Sequence, residues 1–413
     1  MKRSFADPIR NHSFSDCPLP ATRSELRARE TQMSFAMVLA GVALVGFVLH
    51  DGFEVMLLPR RVSRGFRLTR FYYITAWRAW RWVADRFRAG KRRDVWLSWF
   101  GPSSIVLLFA LWAACLIAAF GAIHHGLGTP MNSPDGQALG WGGYLYFSGV
   151  TFFTLGFGDL SPKGSLGRGL AVVEAGIGFA FLAVVISYLP VFYQAFSKRE
   201  ATISLMDARA GSPPTAGSLL IRLAPGRNFA TLDRFFQEWE RFAAEVLESQ
   251  LSFPLLSYYR SQHDNQSWLG ALTAILDACA LTIAALKDVD PYQAQLTFAM
   301  SRHAVVDIAQ VFAARPIEPE ADRLPFESLQ GFLDDLEAAG LALHDRPTIA
   351  VRLAELRGMY EPFVVALSRY LVLRLPPVLP EGLAVDNWQT SAFMRRTRGI
   401  GKLAQAEPDD HDD

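Results

Sequence analysis

The sequence has little cysteine and almost no net charge. Its 413 residues include three cysteines, Cys17, Cys115 and Cys279, which are far apart and odd in number. They show neither a zinc-binding spacing nor a disulfide framework, which argues against a fold built on metal or disulfides. The formal net charge is +1, and a balanced chain lacks the basic excess typical of nucleic-acid binders. No nucleic-acid partner is therefore expected.

Several catalytic and regulatory motifs are also missing. The sequence contains no P-loop, no nucleophile elbow and no His-Glu-x-x-His zinc motif. No Gly-x-Gly-x-x-Gly follows a strand pattern, so a Rossmann-type regulatory domain is not indicated. His263, His303 and His344 have no metal-ligand spacing. The protein is therefore predicted not to be an enzyme, with no catalytic residues and no cofactor.

Long apolar runs are what the chain does have. Hydrophobic residues make up 51% of it and concentrate in the first half. Residues 34–58, 105–123 and 166–193 are each long enough to cross about 30 Å of hydrocarbon as a helix. The first of these spans lacks the repeated arginines of a voltage sensor. The sequence therefore predicts a multi-pass membrane protein.

Polar residues near the ends of the first two spans are interpreted as interfacial. Asp51 and Glu54 are followed at once by arginines with which they can pair, although acids inside a span usually face other helices. His124 and His125 end the second span. Adjacent histidines point apart on a helix, so we interpret them as an interfacial pair rather than a metal site.

A basic and aromatic segment, residues 59–98, separates the first two spans. Its arginines and lysines are mixed with Trp, Tyr and Phe, the composition of a helix lying on an anionic membrane surface. We expect contact with membrane lipids at residues 60–93; nucleic-acid binding is the rival interpretation of such a composition. The positive-inside rule predicts that this segment is cytoplasmic.

A short aromatic segment and a glycine-rich run lie between the second and third spans. Residues 141–153 are apolar but too short to span, and we predict a re-entrant helix. Residues 154–159 follow with the sequence Thr-Leu-Gly-Phe-Gly-Asp. Glycine at alternate positions lets the backbone adopt positive φ. Successive carbonyls can then point the same way and replace the hydration shell of a cation.

This run resembles the selectivity filter of potassium channels, usually Thr-Val-Gly-Tyr-Gly-Asp. The order of span, polar loop, short aromatic helix, filter and span is also similar to that family over about residues 100–195. The resemblance implies a pore domain at residues 99–196, a homotetramer, and K+ as the permeant ion. It assigns the filter to Thr154, Leu155, Gly156, Phe157, Gly158 and Asp159, with K+ bound at the first four.

The resemblance also assigns supporting residues. Thr151 and Glu174 are expected to support the filter. Two other roles are possible for Glu174: it could be a pH sensor, or an acid that pairs with Arg168 or solvent. The gating hinge and the pore lining are assigned to Gly178, Leu182, Val185 and Leu189, for which ordinary helix packing is the alternative.

The sequence departs from the family pattern at three positions. Phe157 replaces the usual tyrosine, Phe153 stands where a second threonine is usual, and Val150 stands where many members have an acid. These departures keep open a less selective cation channel. The large domain after the third span keeps open a membrane-anchored binding or scaffold protein that does not conduct.

Residues 197–400 are predicted to form a helical cytoplasmic domain that gates the pore and has an unidentified ligand. Amphipathic spacing predicts helices at residues 232–246 and 329–336, and no run in this domain looks long enough to span. Further helices are predicted at residues 268–287, 291–315 and 347–373. Residues 1–33 are expected to be a flexible arm and residues 401–413 a disordered acidic tail.

The predicted fold class is an all-α membrane protein. It combines a potassium-channel-like pore domain with one extra N-terminal transmembrane helix and an all-α cytoplasmic domain. The expected location is the cell (plasma) membrane, with the C-terminal domain in the cytoplasm.

Overall fold

The computed structural model describes residues 23–56, 68–88, 90–133, 139–210, 213–223, 229–261 and 266–380. Most of the predicted N-terminal arm lies outside these ranges. The predicted acidic tail lies outside them too, as do residues 59–67 and residue 89 of the basic segment.

The described part of the chain is predominantly helical. Its first six helices are α1 (Arg23–Met56), α2 (Leu68–Ala84), α3 (Lys91–Ser98), α4 (Phe100–Gly126), α5 (Trp141–Phe152) and α6 (Ser165–Ala210). The strands β1 (Met131–Asn132) and β2 (Ser161–Pro162) pair antiparallel. The later elements are α7 (Ala216–Leu223), α8 (Phe229–Ser252), a 3₁₀ helix (Pro254–Tyr258), α9 (Trp268–Ala285), α10 (Tyr292–Val311), α11 (Phe326–Ala338), α12 (Arg346–Gly358) and α13 (Glu361–Leu371).

Helices long and apolar enough to cross a membrane occur at all three predicted spans. They are Gln32–Met56, Lys91–Gly126 and Ser165–Met206. These three helices confirm the multi-pass architecture predicted from the apolar runs.

A fourth such helix is α9, which was predicted as a helix at residues 268–287 but not as one long enough to span. The expectation that no run after residue 197 is long enough to span is therefore wrong by length and composition. However, 94% of α9 is buried inside the protein, where it contacts α7, α8, α10, α12 and α13. A helix that is apolar all round can be the centre of a large core as well as a membrane span. The surrounding helices identify α9 as a core helix.

The chain divides into two compact units. Unit 1 comprises Met1–His50 and Leu111–Leu182, and unit 2 comprises Asp51–Ala110 and Ala183–Asp413. The helix α6 contributes its first part to unit 1 and its last part to unit 2. The predicted domain boundaries stay predictions.

The amphipathic patterns of the helical domain are confirmed by burial. The apolar face of α8 is buried at Leu232, Phe235, Phe236, Trp239, Phe242, Ala243 and Val246. That of α11 is buried at Leu329, Phe332, Leu333 and Leu336. Apolar residues at this spacing form one stripe on a helix, and the stripe faces the core.

Two helix boundaries in this domain differ from the prediction. The single segment expected at residues 347–373 is two helices, α12 and α13, because Pro362 in the first turn of α13 cannot continue a preceding helix. The helix expected at residues 291–315 is α10, which has Pro291 as its N-cap and ends earlier, at Val311. Asp290 satisfies the helix terminus, since its carboxylate accepts the N–H of Tyr292 at 3.0 Å.

Asp51 is not the interfacial residue that the sequence suggested. It is buried, and its carboxylate accepts a hydrogen bond of 2.5 Å from the hydroxyl of Thr69. Thr69 lies in the first turn of α2, where a carboxylate also interacts favourably with the helix dipole. Asp51 therefore joins the end of α1 to the start of α2.

Several aromatic residues of the basic segment contact protein. The indole N–H of Trp77 donates to the carbonyl of Tyr370 at 2.9 Å, and its ring packs against Tyr258. Trp80 stacks on Trp96 with ring centroids 4.4 Å apart. Other large side chains of the segment are exposed, among them Trp82 at 63%. Lipid contact at residues 60–93 stays a prediction for such exposed side chains.

A buried charge network holds the helical domain together. The carboxylate of Asp277 on α9 accepts from the guanidinium of Arg323 at 2.6 Å and also from the hydroxyl of Tyr360. Arg323 reaches Glu361 at 3.2 Å. Burial raises the pKa of the Glu361 carboxyl, although Arg357 and Arg323 oppose that rise.

Asp277→Ala is expected to lower the free energy of unfolding by about 3–5 kcal/mol, because it leaves the Arg323 charge buried without its main partner. Denaturant unfolding of the full chain in detergent, followed by tryptophan fluorescence, measures this. Asp288→Ala is the control, since Asp288 is exposed and its loss should change stability by less than about 0.5 kcal/mol. Equal stability of the two variants would contradict the role given to the network.

Candidate ion pathway

The short helix α5 packs in unit 1 through one buried face. At 12 residues it is too short to cross a bilayer. Tyr144, Phe147, Ser148 and Phe152 are its buried residues. The hydroxyl of Tyr144 donates to the carbonyl of Thr129 at 2.9 Å. These contacts give α5 a fixed orientation within unit 1.

The backbone after α5 alternates in handedness. Thr154, Gly156 and Gly158 have positive φ values of 54°, 63° and 78°. Residues of alternating handedness turn successive carbonyls to one side, the arrangement that a cation-binding stack requires. Thr154 is β-branched, and such a residue in the left-handed region is a strained outlier of the kind that clusters at functional sites.

Hydrogen bonds from the end of α5 hold the start of this segment. The N–H of Thr154 donates to the carbonyl of Thr151 at 3.0 Å, and that of Leu155 donates to the carbonyl of Val150 at 2.9 Å. Thr151, a predicted supporting residue, therefore contacts the predicted filter through its backbone. The left-handed conformation of Thr154 is fixed by these two bonds on either side of it.

The predicted filter is exposed in a single protomer. Residues 153–159 are all exposed, with Leu155 at 56% and Phe157 at 65%. Asp159, at the end of the segment, interacts with the Tyr146 side chain of α5 through a hydrogen bond. In one chain, residues 153–159 are thus left uncovered.

A fully buried polar cluster joins α4, α5 and α6. The carboxylate of Glu174 on α6 accepts from the hydroxyl of Ser148 on α5, which also lies 2.8 Å from the carbonyl oxygen of Ile117 on α4. The Nε2 atom of His124 lies 3.7 Å from the other carboxylate oxygen of Glu174. His124 Nδ1 is 3.2 Å from the hydroxyl of Thr129. The cluster therefore connects the helix before the predicted filter to both long helices of unit 1.

This cluster corrects the interpretation of His124 and argues against one alternative for Glu174. His124 is not interfacial, because its side chain is completely buried. Glu174 does not pair with Arg168 or solvent: it is buried, and the Nε of Arg168 donates to the carbonyl of Pro162. Ser148 was missed altogether. The available signal was a set of polar residues at membrane depth, which usually face one another.

Gly178 on α6 lies directly against the last residue of α5. A Cβ added to Gly178 would overlap the carbonyl oxygen of Phe152, the last residue of α5. Glycine is therefore needed here for close helix packing, the alternative that the sequence left open. The hinge role of Gly178 stays a prediction.

The other predicted pore-lining residues lie along α6. Leu182 and Val185 are half-buried, and Leu189 is exposed. Four strongly exposed apolar residues of α6 form a different stripe with a seven-residue repeat, at Val172, Phe179, Ile186 and Tyr193. Positions seven apart lie on one side of a helix, so these four side chains form one exposed apolar stripe. The pore lining stays a prediction.

Comparisons with known proteins agree with this geometry. Residues 105–195 match the family model described as ion channel. The uncharacterized membrane protein YdjJ of Bacillus subtilis is 27% identical over 256 residues, which cover 59% of this chain and 72% of that protein. Protein LctB of Geobacillus stearothermophilus is 33% identical over 94 residues, 22% of this chain and 66% of that protein. No solved structure gives a significant match.

The matched residues contain α5, the alternating backbone and the buried cluster, together with most of α4 and the first part of α6. Over residues 105–195, this multi-pass membrane protein is therefore similar to ion channel pore domains of the two-transmembrane potassium channel type.

Proposed function

We propose that the protein is a potassium-selective channel that conducts K+ passively across the cell membrane. The observation that carries the proposal is the alternating handedness at Thr154, Gly156 and Gly158. The ion ligands are the carbonyls of Thr154, Leu155, Gly156 and Phe157, with the Thr154 hydroxyl. Dehydrated K+ ions move between these carbonyl sites down their gradient. K+ is the transported ion, and no cofactor takes part.

The channel assembles as a homotetramer through its pore domain. One protomer supplies one strand of carbonyls, and a closed ring around an ion needs several copies related by symmetry. The exposure of residues 153–159 supports assembly, because neighbouring copies would cover these backbone groups. Chemical crosslinking of the purified chain in detergent should give four-subunit species.

The basic segment at residues 60–93 and the C-terminal helical domain lie in the cytoplasm. The excess of arginine between the first two spans supports this orientation, since positive loops stay on the cytoplasmic side. In this orientation the predicted filter lies near the outer face, where the acidic Asp159 side chains raise the local cation concentration.

Flux through reconstituted liposomes tests conduction itself. Potassium-loaded liposomes that contain the protein should release K+ faster than protein-free liposomes. Release at the protein-free rate would favour the second candidate, a membrane-anchored binding or scaffold protein, which the size of the helical domain motivates.

Glu174 braces the filter in this proposal through its bond to Ser148. Glu174→Ala leaves buried polar groups of Ser148 and His124 without their partner, at a cost of about 1–3 kcal/mol in stability. We expect a lower melting temperature and faster decay of K+ flux. Glu174→Gln keeps an acceptor for Ser148 and should restore most of both. If Glu174→Ala matches wild type in both measurements, the bracing role is wrong.

The helical domain gates the pore through the end of α6. Arg199 on α6 has a side chain only 3% exposed, and it donates to the carbonyls of Leu256 at 2.7 Å and Tyr259 at 2.8 Å. Phe192 and Phe196, on the same helix, pack against the ring of Tyr259. The last part of α6 and the helical domain belong to one compact unit, so a movement of that domain is transmitted to α6.

Arg199→Ala is expected to change the open probability by at least about threefold, because it removes two charge-assisted hydrogen bonds worth about 1.5–3 kcal/mol each. Single-channel recording in planar bilayers measures it. Lys198→Ala is the matched neighbour, since Lys198 is 66% exposed and forms only a surface ion pair with Glu245. The same open probability in both variants and wild type would rule out gating through this contact.

A further inference from the structure

The structure contains a basic cavity that the channel function does not use. It measures about 260 Å³ and lies within unit 2, between the α2–α3 region and the C-terminal end of α13. Arg81 and Arg93 line it from one side, and Arg369 and Arg374 from the other. Arginine is the side chain best suited to recognising phosphate, because its planar fork donates two parallel hydrogen bonds.

The carboxylates around the cavity do not balance these arginines. Asp94 lies 3.5 Å from Arg374 and 3.5 Å from a fifth arginine, Arg260. Asp85 pairs with Arg93 at 2.7 Å, and Glu320 pairs with Arg369 at 2.7 Å. Five arginines therefore face three acids, an excess of two positive charges. A phosphate monoester carries about −1.5 to −2 charges at neutral pH, which matches that excess.

Two further features indicate that the site suits an anion. The Nε atom of Arg93 is buried and has no hydrogen-bond partner among the described residues, and a buried donor without an acceptor is costly. Burial lowers the pKa of Arg260 to about 10, with Arg93 and Arg374 acting in the same direction against Asp94. Positive charges are thus held close together where an added anion would relieve their repulsion.

We propose that this cavity, defined by Arg81, Arg93, Arg369 and Arg374, binds a phosphate group. The group belongs either to a lipid headgroup or to a soluble phosphate compound. Trp82 and Val95 directly follow lining residues in the chain and are exposed, so a lipid can place its acyl chains beside them while its phosphate enters the cavity. The ligand would join the segment before α4 to the helical domain.

The test is a binding measurement on the purified full-length chain in a neutral detergent. The probes are dioctanoyl phosphatidic acid and inorganic pyrophosphate, each titrated by calorimetry. The double variant Arg93→Gln/Arg374→Gln should weaken binding at least about tenfold, the loss expected for charge-assisted hydrogen bonds. The control is Arg302→Gln/Arg352→Gln, which removes the same charge from exposed positions on α10 and α12 and should bind like wild type.

The two probes distinguish the source of the phosphate. Binding of the lipid alone identifies a headgroup site, and binding of both probes with similar affinity identifies a site for soluble phosphate compounds; either supports the proposal. The single variant Arg374→Gln serves as a check in case the double variant misfolds. Arg374 is largely exposed, so this variant should fold normally and should still weaken binding. No binding of either probe, or equal loss in the double variant and its control, would overturn the proposal. Binding is measured without ion flux, so the result can be interpreted even if the protein proves not to be a channel.

Discussion

Gly156→Ser is expected to abolish K+ flux while the protein still folds and assembles. Gly156 has a φ of 63°, and a side chain in this left-handed conformation costs about 1–2 kcal/mol per residue. In the proposed tetramer this cost would occur in each subunit around the proposed ion path. We therefore expect flux to fall at least about a hundredfold, since each 1.4 kcal/mol corresponds to a factor of about ten. The measurement is K+ release from liposomes.

Gly46→Ser is the control for this variant. Gly46 is an exposed helical residue of α1, and a Cβ at that position meets no atom within 4 Å. Its substitution should leave flux unchanged. Crosslinking in detergent should give the same four-subunit species for both variants. Equal flux from Gly156→Ser and wild type would show that residues 154–159 are not the ion path.

Gly178→Val is expected to disrupt the pore from the side of α6. A Cβ at Gly178 overlaps the carbonyl oxygen of Phe152, which is backbone and cannot rotate away. The end of α5 must shift, and the hydrogen bonds that hold Thr154 and Leu155 shift with it. Overpacking costs about 1–3 kcal/mol per site, and the proposed tetramer would contain four such sites. We expect a lower melting temperature together with a loss of flux of at least about tenfold.

Gly176→Val on the same helix is the control for Gly178→Val. It distinguishes the effect of close packing from the effect of valine on the stability of the helix. Both variants place a β-branched residue in α6, but a Cβ at Gly176 meets no atom within 4 Å. It should retain flux and thermal stability. If both variants lose flux to the same extent, helix flexibility rather than close packing explains the need for glycine. The hinge interpretation of Gly178 then gains support.

Periodicity and length were sufficient to predict the helical elements of the pore domain. Residues 105–123 and 166–193 lie within α4 and α6, and the predicted re-entrant helix at residues 141–153 corresponds closely to α5. Long apolar runs and short aromatic ones carry this information locally. The glycine spacing likewise predicted positive φ at Gly156 and Gly158.

Contacts between distant residues were not predictable in the same way. His124, Ser148 and Glu174 are up to 50 positions apart, and only packing brings them into one cluster. The partner of Asp51 is Thr69, whereas the sequence suggested the arginines next to it. Hydropathy suggests which polar residues are costly to bury, but it does not identify the residues that compensate them.

Apolar composition alone also could not separate α9 from a span. Both a core helix and a membrane helix are apolar on every side. Burial of α9 by the surrounding helices decides between them, and that requires the amphipathic faces of α8 and α10 to be placed. The glycine at position 178 is a similar case, since close packing and hinge motion both favour glycine.

The most direct test of the proposed function is the reversal potential of the reconstituted channel in mixed solutions of equal ionic strength, mostly K+ on one side of a bilayer and mostly Na+ on the other. Carbonyl sites formed by residues 154–157 should give a reversal potential close to the K+ equilibrium value, at which Na+ carries almost no current. A reversal potential near zero would contradict potassium selectivity. It would favour the less selective cation channel that Phe153 and Phe157 suggest.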